Sequence, residues 1–223
     1  MANKFEGIVK QSVLRIRPYV PGKPIEEVQR ELGLKEVIKL ASNENPLGPS
    51  KKAVKAAVAA VKTVSLYPDS SSFYLKKALA KKLKVKPEQV MIGNGSNELE
   101  QLLAEAFVEQ GDEVMFSEAS FAVYQIVTDL TGGSTVVVPH KNFSHDMEGF
   151  AKRLTEKTKL VFLCNPNNPT GTIITKTELE TFMAKVPQKA IVILDEAYFE
   201  YVKDKKYPDG LKYLNKYPNL IVL

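Results

Sequence analysis

The apolar positions change period as the chain runs. Over 50–62 and 71–84, alanine, valine and leucine recur every three or four residues among lysines, as in Ala53-Val54-Lys55-Ala56-Ala57-Val58. That is the spacing of amphipathic helices. The same period predicts helices over 96–109, 121–131, 147–155 and 176–185. Between them stand short runs rich in β-branched and apolar residues, which read as strands at 89–92, 113–116, 135–138, 160–163, 191–194 and 220–223. Ahead of this alternation, residues 1–48 read as an arm. It holds a short helix, a path broken at Pro18, Pro21, Gly22 and Pro24, a second short helix near Ile25–Leu32, and a candidate strand at Val37-Ile38-Lys39-Leu40. Asn43-Glu44-Asn45-Pro46-Leu47-Gly48-Pro49 is turn chemistry that closes the arm, and Pro49 can open the next helix. Helices alternating with apolar strands predict an α/β fold with a mostly parallel sheet flanked by helices. Ligands of such sheets lie beyond the carboxyl ends of the strands.

Composition narrows the classes. With 44% hydrophobic and 26% charged residues, collagen-like and wholly disordered readings are excluded. At roughly 150 residues per domain, 223 residues make one large domain or one and a half, which raises the expectation of an incomplete chain. No apolar run approaches the roughly 18 residues of a membrane helix. Met1-Ala2-Asn3-Lys4-Phe5-Glu6 lacks the apolar core of a signal peptide. Cys164 is the single cysteine, so no internal disulfide or thiol-built zinc cluster is available. His140 and His145 are the two histidines, too few for a His-rich metal site. No metal is expected, and the expected compartment is cytoplasmic. The net charge of +5 is uneven: ten lysines face only Asp69 between Lys51 and Lys86. They sit at helical spacing with no interleaved aromatics or arginine cluster, so they read as solvated helix faces and neither nucleic acid nor membrane is an expected partner.

Four strand ends carry candidate chemistry. After the first strand comes Gly93-Asn94-Gly95-Ser96-Asn97-Glu98. Strand, glycine turn and helix start form an anion cup, with Ser96 and Asn97 adding donors; the plain alternative is that Ser96 only caps a helix. Past the next strand, Ser117-Glu118-Ala119-Ser120-Phe121-Ala122-Val123-Tyr124 offers aromatics that could stack on a planar ring or simply fill the core. Cys164-Asn165-Pro166-Asn167-Asn168-Pro169-Thr170-Gly171 is a rigid loop presenting amide side chains, a pattern a plain turn seldom requires. Asp195 ends the apolar run Ile191-Val192-Ile193-Leu194. A carboxylate there is costly unless a cation or hydrogen bonds meet it, so a salt bridge, a helix cap and a charged ligand atom all stay open.

Taken in order, Arg17-Pro18-Tyr19-Val20-Pro21-Gly22-Lys23-Pro24, Leu40-Ala41-Ser42-Asn43-Glu44-Asn45-Pro46, Tyr67-Pro68-Asp69, the Asn168 loop and Asp195-Glu196-Ala197-Tyr198 resemble the pyridoxal 5'-phosphate (PLP) aminotransferases of fold type I. The first two motifs point within them to the histidinol-phosphate aminotransferases. The resemblance runs from about Pro18 to Leu223 and covers the N-terminal portion of that family. It implies 1–48 as an arm with part of a small domain and 49–223 as a PLP-binding large domain, incomplete at its end. It implies that Gly95, Ser96 and Asn97 hold the cofactor phosphate, that Tyr67 reaches the phosphate across a homodimer, and that Phe121 stacks on the ring in place of a more usual tyrosine. Asn168 and Tyr198 are implied to bond the phenolic oxygen, and Asp195 to pair with the ring nitrogen. Tyr19 is implied to meet the substrate phosphate, with Asn43 and Asn45 (and, more loosely, Glu44) lining the substrate pocket. The implied substrates are histidinol phosphate and 2-oxoglutarate, in histidine biosynthesis.

The family's Schiff-base lysine has no counterpart here. It belongs just beyond the strand at 220–223, and Lys203, Lys205 and Lys206 do not match its context. The chain is therefore expected to be a piece inactive by itself. Other readings are an aromatic amino acid aminotransferase, a threonine-phosphate decarboxylase, a nucleotide-binding module built on the Gly93 cup, and a non-catalytic truncated protein.

Overall fold

The computed structural model describes residues 7–19 and 21–223; the start of the arm and Val20 lie outside them. The chain forms two compact units, Pro18–Val90 and Met91–Leu223 with the N-terminal residues to Arg17. The expected boundary at residue 48 falls inside the first of these.

Within 18–90 three helices form. α1 (Ile25–Leu32) follows Pro24 and stops at Gly33, whose φ of 65° is left-handed. α2 (Lys51–Ala60) runs into a 3-10 turn at Val61–Thr63. α3 (Phe73–Leu83) is preceded by Asp69, whose carboxylate accepts from the Ser71 and Phe73 amides at 2.9 and 3.0 Å. The expected strand at 37–40 does not form: Ile38 and Leu40 stand exposed with no ladder partner. The expected strand at 89–92 is also absent. Pro87–Gln89 winds into a 3-10 turn, closed by the Gln89 side chain on the Lys86 amide at 3.0 Å. That turn takes Gln89, and Val90, Met91 and Ile92 have no ladder partner among the described residues.

The second unit holds the sheet. α4 (Ser96–Phe107), β1 (Glu113–Ser117), α5 (Val123–Thr131) and β2 (Ser134–Val138) come first. A hairpin of β3 (His140–Lys141) and β4 (Ser144–His145) follows, then α6 (Met147–Arg153), β5 (Thr158–Cys164), α7 (Lys176–Met183), β6 (Ile191–Asp195) and β7 (Leu220–Val222). The main sheet is parallel throughout in the order β2-β1-β5-β6-β7. Leu160, Val161, Phe162 and Leu163 of β5 are all fully buried, as a strand covered on both faces requires. Alternate residues face opposite layers. Val114, Phe116, Leu160, Phe162 and Ile193 pack on α4 and α5 through Ala104, Val123, Tyr124 and Val127. Met115, Val161, Leu163, Val192 and Leu194 pack on α6 and α7 through Phe150, Leu179 and Phe182.

The helix starts follow local chemistry. Asp146 caps α6 by accepting from the Gly149 amide at 3.0 Å. Thr175 and Glu178 form a reciprocal capping box at α7. The β3–β4 hairpin is unexpected from sequence. Its turn residues Asn142 and Phe143 both take left-handed φ, 54° and 61°, the geometry of a two-residue turn usually marked by Asn-Gly. Phe143 hides that mark.

Leu163→Ala should lower unfolding free energy by about 3 kcal/mol, the cost of a cavity in a closed core. A urea titration showing less than about 1 kcal/mol would contradict its place between two helical layers.

Candidate functional site

The strand order reverses at β1 and β5: β2 lies outside β1, while β6 and β7 follow β5 on the other side. A crevice at such a switch point is where parallel sheets bind ligands. The loops leaving β1 and β5 carry Phe121 and Asn168, and Asp195 ends the adjacent β6. Cys164 and Asp195 are register partners, and the Asn165 amide donates to the Asp195 carbonyl at 2.8 Å. Four of the expected residues, Phe121, Asn168, Asp195 and Tyr198, therefore gather at the carboxyl ends of three neighbouring strands.

Asp195 is 3% exposed. By strand parity it follows Ile193 onto the α4–α5 side. Its Oδ2 accepts from the Tyr124 hydroxyl at 2.6 Å and its Oδ1 from the Ala197 amide at 3.1 Å. No cation pairs with it among the described residues. Glu100 of α4 is fully buried, and among the described residues neither of its carboxyl oxygens has a hydrogen-bond partner. Burial pushes its carboxyl up to about 8; the charge of Asp195 adds to the push and Ser96 opposes it. Near neutral pH this acid is uncharged. The Cys164 thiol is pushed up to about 12, by burial first and Asp195 second, so it stays a thiol and is no nucleophile.

The loop after β5 is pinned at several points. Asn165 accepts from the Ile174 amide at 2.9 Å through Oδ1. Asn167 donates through Nδ2 to the Ala119 carbonyl at 2.8 Å and to Thr170 at 2.9 Å, joining this loop to the one after β1. Gly171, with φ of 71°, lets the loop turn back. Asn165-Pro166 and Asn168-Pro169 are both cis. The Tyr207 hydroxyl contacts the Asn165 carbonyl and, at 2.9 Å, Glu196 Oε1. Burial pushes Glu196 up to about 7, opposed by the hydrogen bonds its Oε1 accepts from Tyr207 and from the Gly210 amide at 3.1 Å.

His145 braces the same crevice from the other face. Its Nε2 lies 2.8 Å from the Cys164 carbonyl, which can only accept, so Nε2 carries the hydrogen. Burial lowers the ring to about 4, with His140 adding to the shift and the Cys164 contact opposing it. The ring is therefore neutral, and its bare Nδ1 accepts from the Ser117 hydroxyl at 2.5 Å. One imidazole ties the ends of β1 and β5 together.

Residues 35–223 match the family model for class I and II aminotransferases. The chain belongs to that family. A histidinol-phosphate aminotransferase of Caldicellulosiruptor saccharolyticus is 50% identical over 214 residues, 96% of this chain and 60% of that protein. One of Hydrogenovibrio crunogenus is 53% identical over 207 residues, 93% and 56% respectively. Among solved structures, that of the histidinol-phosphate aminotransferase of Sinorhizobium meliloti in complex with pyridoxal 5'-phosphate superimposes with a TM-score of 0.85. It is 28% identical and covers 96% of this chain and 57% of that one. The chain thus spans about 60% of the length of the curated relatives it matches. The fold is that of the fold type I PLP-dependent aminotransferases, of which this chain carries a part.

Of the strand, glycine turn and helix start expected over 89–98, the strand is absent and the turn and helix start form. Gly95 has φ of 80° and is the N-cap of α4, so Ser96 is the first helical residue and does not cap the helix with its side chain. A Cβ at Gly93 would come within 2.9 Å of Leu99. Glu98 Oε2 already takes the Asn94 amide at 2.6 Å, so the N–H groups that remain at the helix start are those of 95–97. Asn97 is exposed and Ser96 half-buried. Tyr19, Asn43, Asn45 and Tyr67 belong to the 18–90 unit. Asn45 closes its own turn, its Oδ1 accepting from the Leu47 amide at 3.0 Å. Tyr67 is fully exposed.

Sequence reasoning singled out neither Glu100, His145 nor Glu196 as site residues, and left Tyr124 as possible core. Glu100 falls on the apolar side of α4, a mismatch that helical periodicity could have flagged. The His145 brace joins residues 28 and 19 positions apart and leaves no local signal.

Two pH responses follow. The folded state holds a proton on Glu100 that the unfolded chain releases above its ordinary value of 4.5, so this group costs stability as pH rises from about 5 to about 8. Glu100→Gln should gain on the unaltered chain across that window, by about 2 kcal/mol or more in urea titrations at pH 8; a difference independent of pH would contradict a buried, neutral Glu100. His145 runs the other way. Its folded value of about 4 lies below the ordinary 6.5, so its contribution is lost as pH falls from about 6.5 towards 4. His145→Gln should flatten stability over that range, and an unchanged slope would count against the neutral brace.

Proposed function

We propose that this chain is the cofactor-holding part of a cytoplasmic histidinol-phosphate aminotransferase that works as a homodimer in histidine biosynthesis. In the whole protein, the amine of histidinol phosphate would pass to 2-oxoglutarate, leaving a ketone and giving glutamate. The observation that carries the reading is Asp195: a carboxylate 3% exposed, at the switch-point crevice, with two hydrogen-bond donors and no cation among the described residues. A buried carboxylate of this kind is suited to a cationic ring nitrogen. The relatives at about 50% identity name the substrate class. The compartment rests on more general grounds: among the described residues no helix is long and apolar enough to cross a membrane, and the pathway's chemistry is that of small soluble metabolites.

The residues fit PLP in type and placement. Asp195 would face the ring nitrogen and keep it protonated. Phe121, half-buried beside Tyr124, would cover one ring face. Asn168 and Tyr198 would orient the phenolic oxygen. The amides of Gly95, Ser96 and Asn97 would take the phosphate, helped by the positive end of a twelve-residue helix. When bound, PLP supplies an electron sink for the electron pair left as the substrate's α-proton departs. Tyr19, Asn43 and Asn45 are assigned to the substrate. Tyr67 is assigned to the neighbouring subunit's phosphate, a role its complete exposure supports, as do the exposed Val54, Val58 and Val61.

Asp195→Asn keeps the side chain's shape and removes its charge. It should weaken PLP binding about tenfold, measured by equilibrium dialysis, and cut turnover of histidinol phosphate with 2-oxoglutarate in the whole protein by a larger factor. Near-normal values for both would overturn the reading. Equal turnover of an unphosphorylated aromatic amino acid would move the substrate assignment to the aromatic aminotransferases.

A further inference from the structure

We infer that Tyr124 is the positioning residue of the cofactor pocket, a single side chain that sets both the carboxylate for the ring nitrogen and the aromatic for the ring face. The inference rests on the PLP reading above and adds a residue to which that reading gives no role. The Tyr124 hydroxyl donates to Asp195 Oδ2 at 2.6 Å. The edge contact of its ring with Phe121 has centroids 5.9 Å apart and planes at 85°. Both groups assigned to the cofactor ring therefore lean on this one residue.

Tyr124 is itself held on several sides. It has no exposed surface. Its ring stacks on Phe162 of β5 with centroids 4.5 Å apart and planes at 7°, and it also meets Phe116 of β1. Its main-chain carbonyl accepts from the Thr128 hydroxyl at 2.7 Å. The hydroxyl is thus referenced to the two strands that flank the switch point. It is no acid or base: burial first, and the charge of Asp195 next, push it well above the ordinary tyrosine value, so it remains a donor at any working pH.

The link to Asp195 matters because of what else holds that carboxylate. Apart from Tyr124, the one donor to its side-chain carboxylate among the described residues is the Ala197 amide, in the turn just beyond the strand. Without the hydroxyl, one oxygen loses its tie to the core and the carboxylate plane is free to rotate. Fixing that plane aims the remaining lone pairs, and an aimed acceptor is worth most against a ligand that presents a single N–H. Loss of a hydrogen bond to a charged group costs about a factor of ten in binding when the ligand depends on that geometry.

The test compares two ligands on the full chain: PLP and its analogue with carbon in place of the ring nitrogen. The unaltered chain should bind PLP about tenfold more tightly than the analogue. Tyr124→Phe keeps the ring contacts and removes only the hydroxyl. It should weaken PLP binding and leave the analogue's affinity where it was, so that the preference shrinks to about threefold or less. If both affinities fall together and the preference survives, Tyr124 only fills space and the inference is wrong. An unaltered chain that shows no preference would refute the pairing of Asp195 with the ring nitrogen, and the role of Tyr124 with it. Should circular dichroism show that Tyr124→Phe does not fold, Phe162→Leu takes its place. That variant keeps the hydroxyl and removes the ring on which Tyr124 stacks. A reduced preference supports the assignment and an undiminished one contradicts it.

Discussion

A carboxylate without a cation is the constraint around which this unit is arranged. Removing an ion from water costs several kcal/mol even after the protein relaxes. Asp195 recovers part of that cost from Tyr124 and the Ala197 amide, and among the described residues no positively charged side chain meets it. The surroundings limit competing charge: Glu100 is driven neutral by burial and by Asp195 itself, and Cys164 is kept as a thiol. The result is a negative point at the mouth of a parallel sheet that a cationic ligand atom can neutralise.

The rest of the crevice serves to fix that point. β5 and β6 are in register at Cys164 and Asp195. His145 ties the ends of β1 and β5, and Asn167 ties the loops that leave them. The His145 bonds are buried and the Asn167 bond partly so, and each joins segments far apart in sequence, so the geometry of the site is a property of the folded sheet and not of any one loop. Fold, loop and carboxylate agree with membership of the aminotransferase family.

Much of this was legible from residues alone. The six helices of the alternating region follow from apolar spacing, and five of its strands from short apolar runs. The site loop could be read because Asn165-Pro166-Asn167-Asn168-Pro169-Thr170-Gly171 is too particular for a plain turn. What escaped was non-local or locally ambiguous. The runs at 37–40 and 89–92 look like strands but have no neighbour to pair with, and pairing is decided elsewhere in the chain. Tyr124 reads as core by spacing; its second task appears only when β6 brings Asp195 alongside. Glu196 stood within a recognised motif, yet its hydrogen-bond donors, Tyr207 and the Gly210 amide, arrive later in the chain.

The most direct measurement is the structure of the chain crystallised with PLP. The account predicts the ring nitrogen within hydrogen-bond distance of Asp195, the ring face against Phe121, and the phosphate on the amides of 95–97. PLP bound elsewhere, or bound with its ring nitrogen turned away from Asp195, would contradict it.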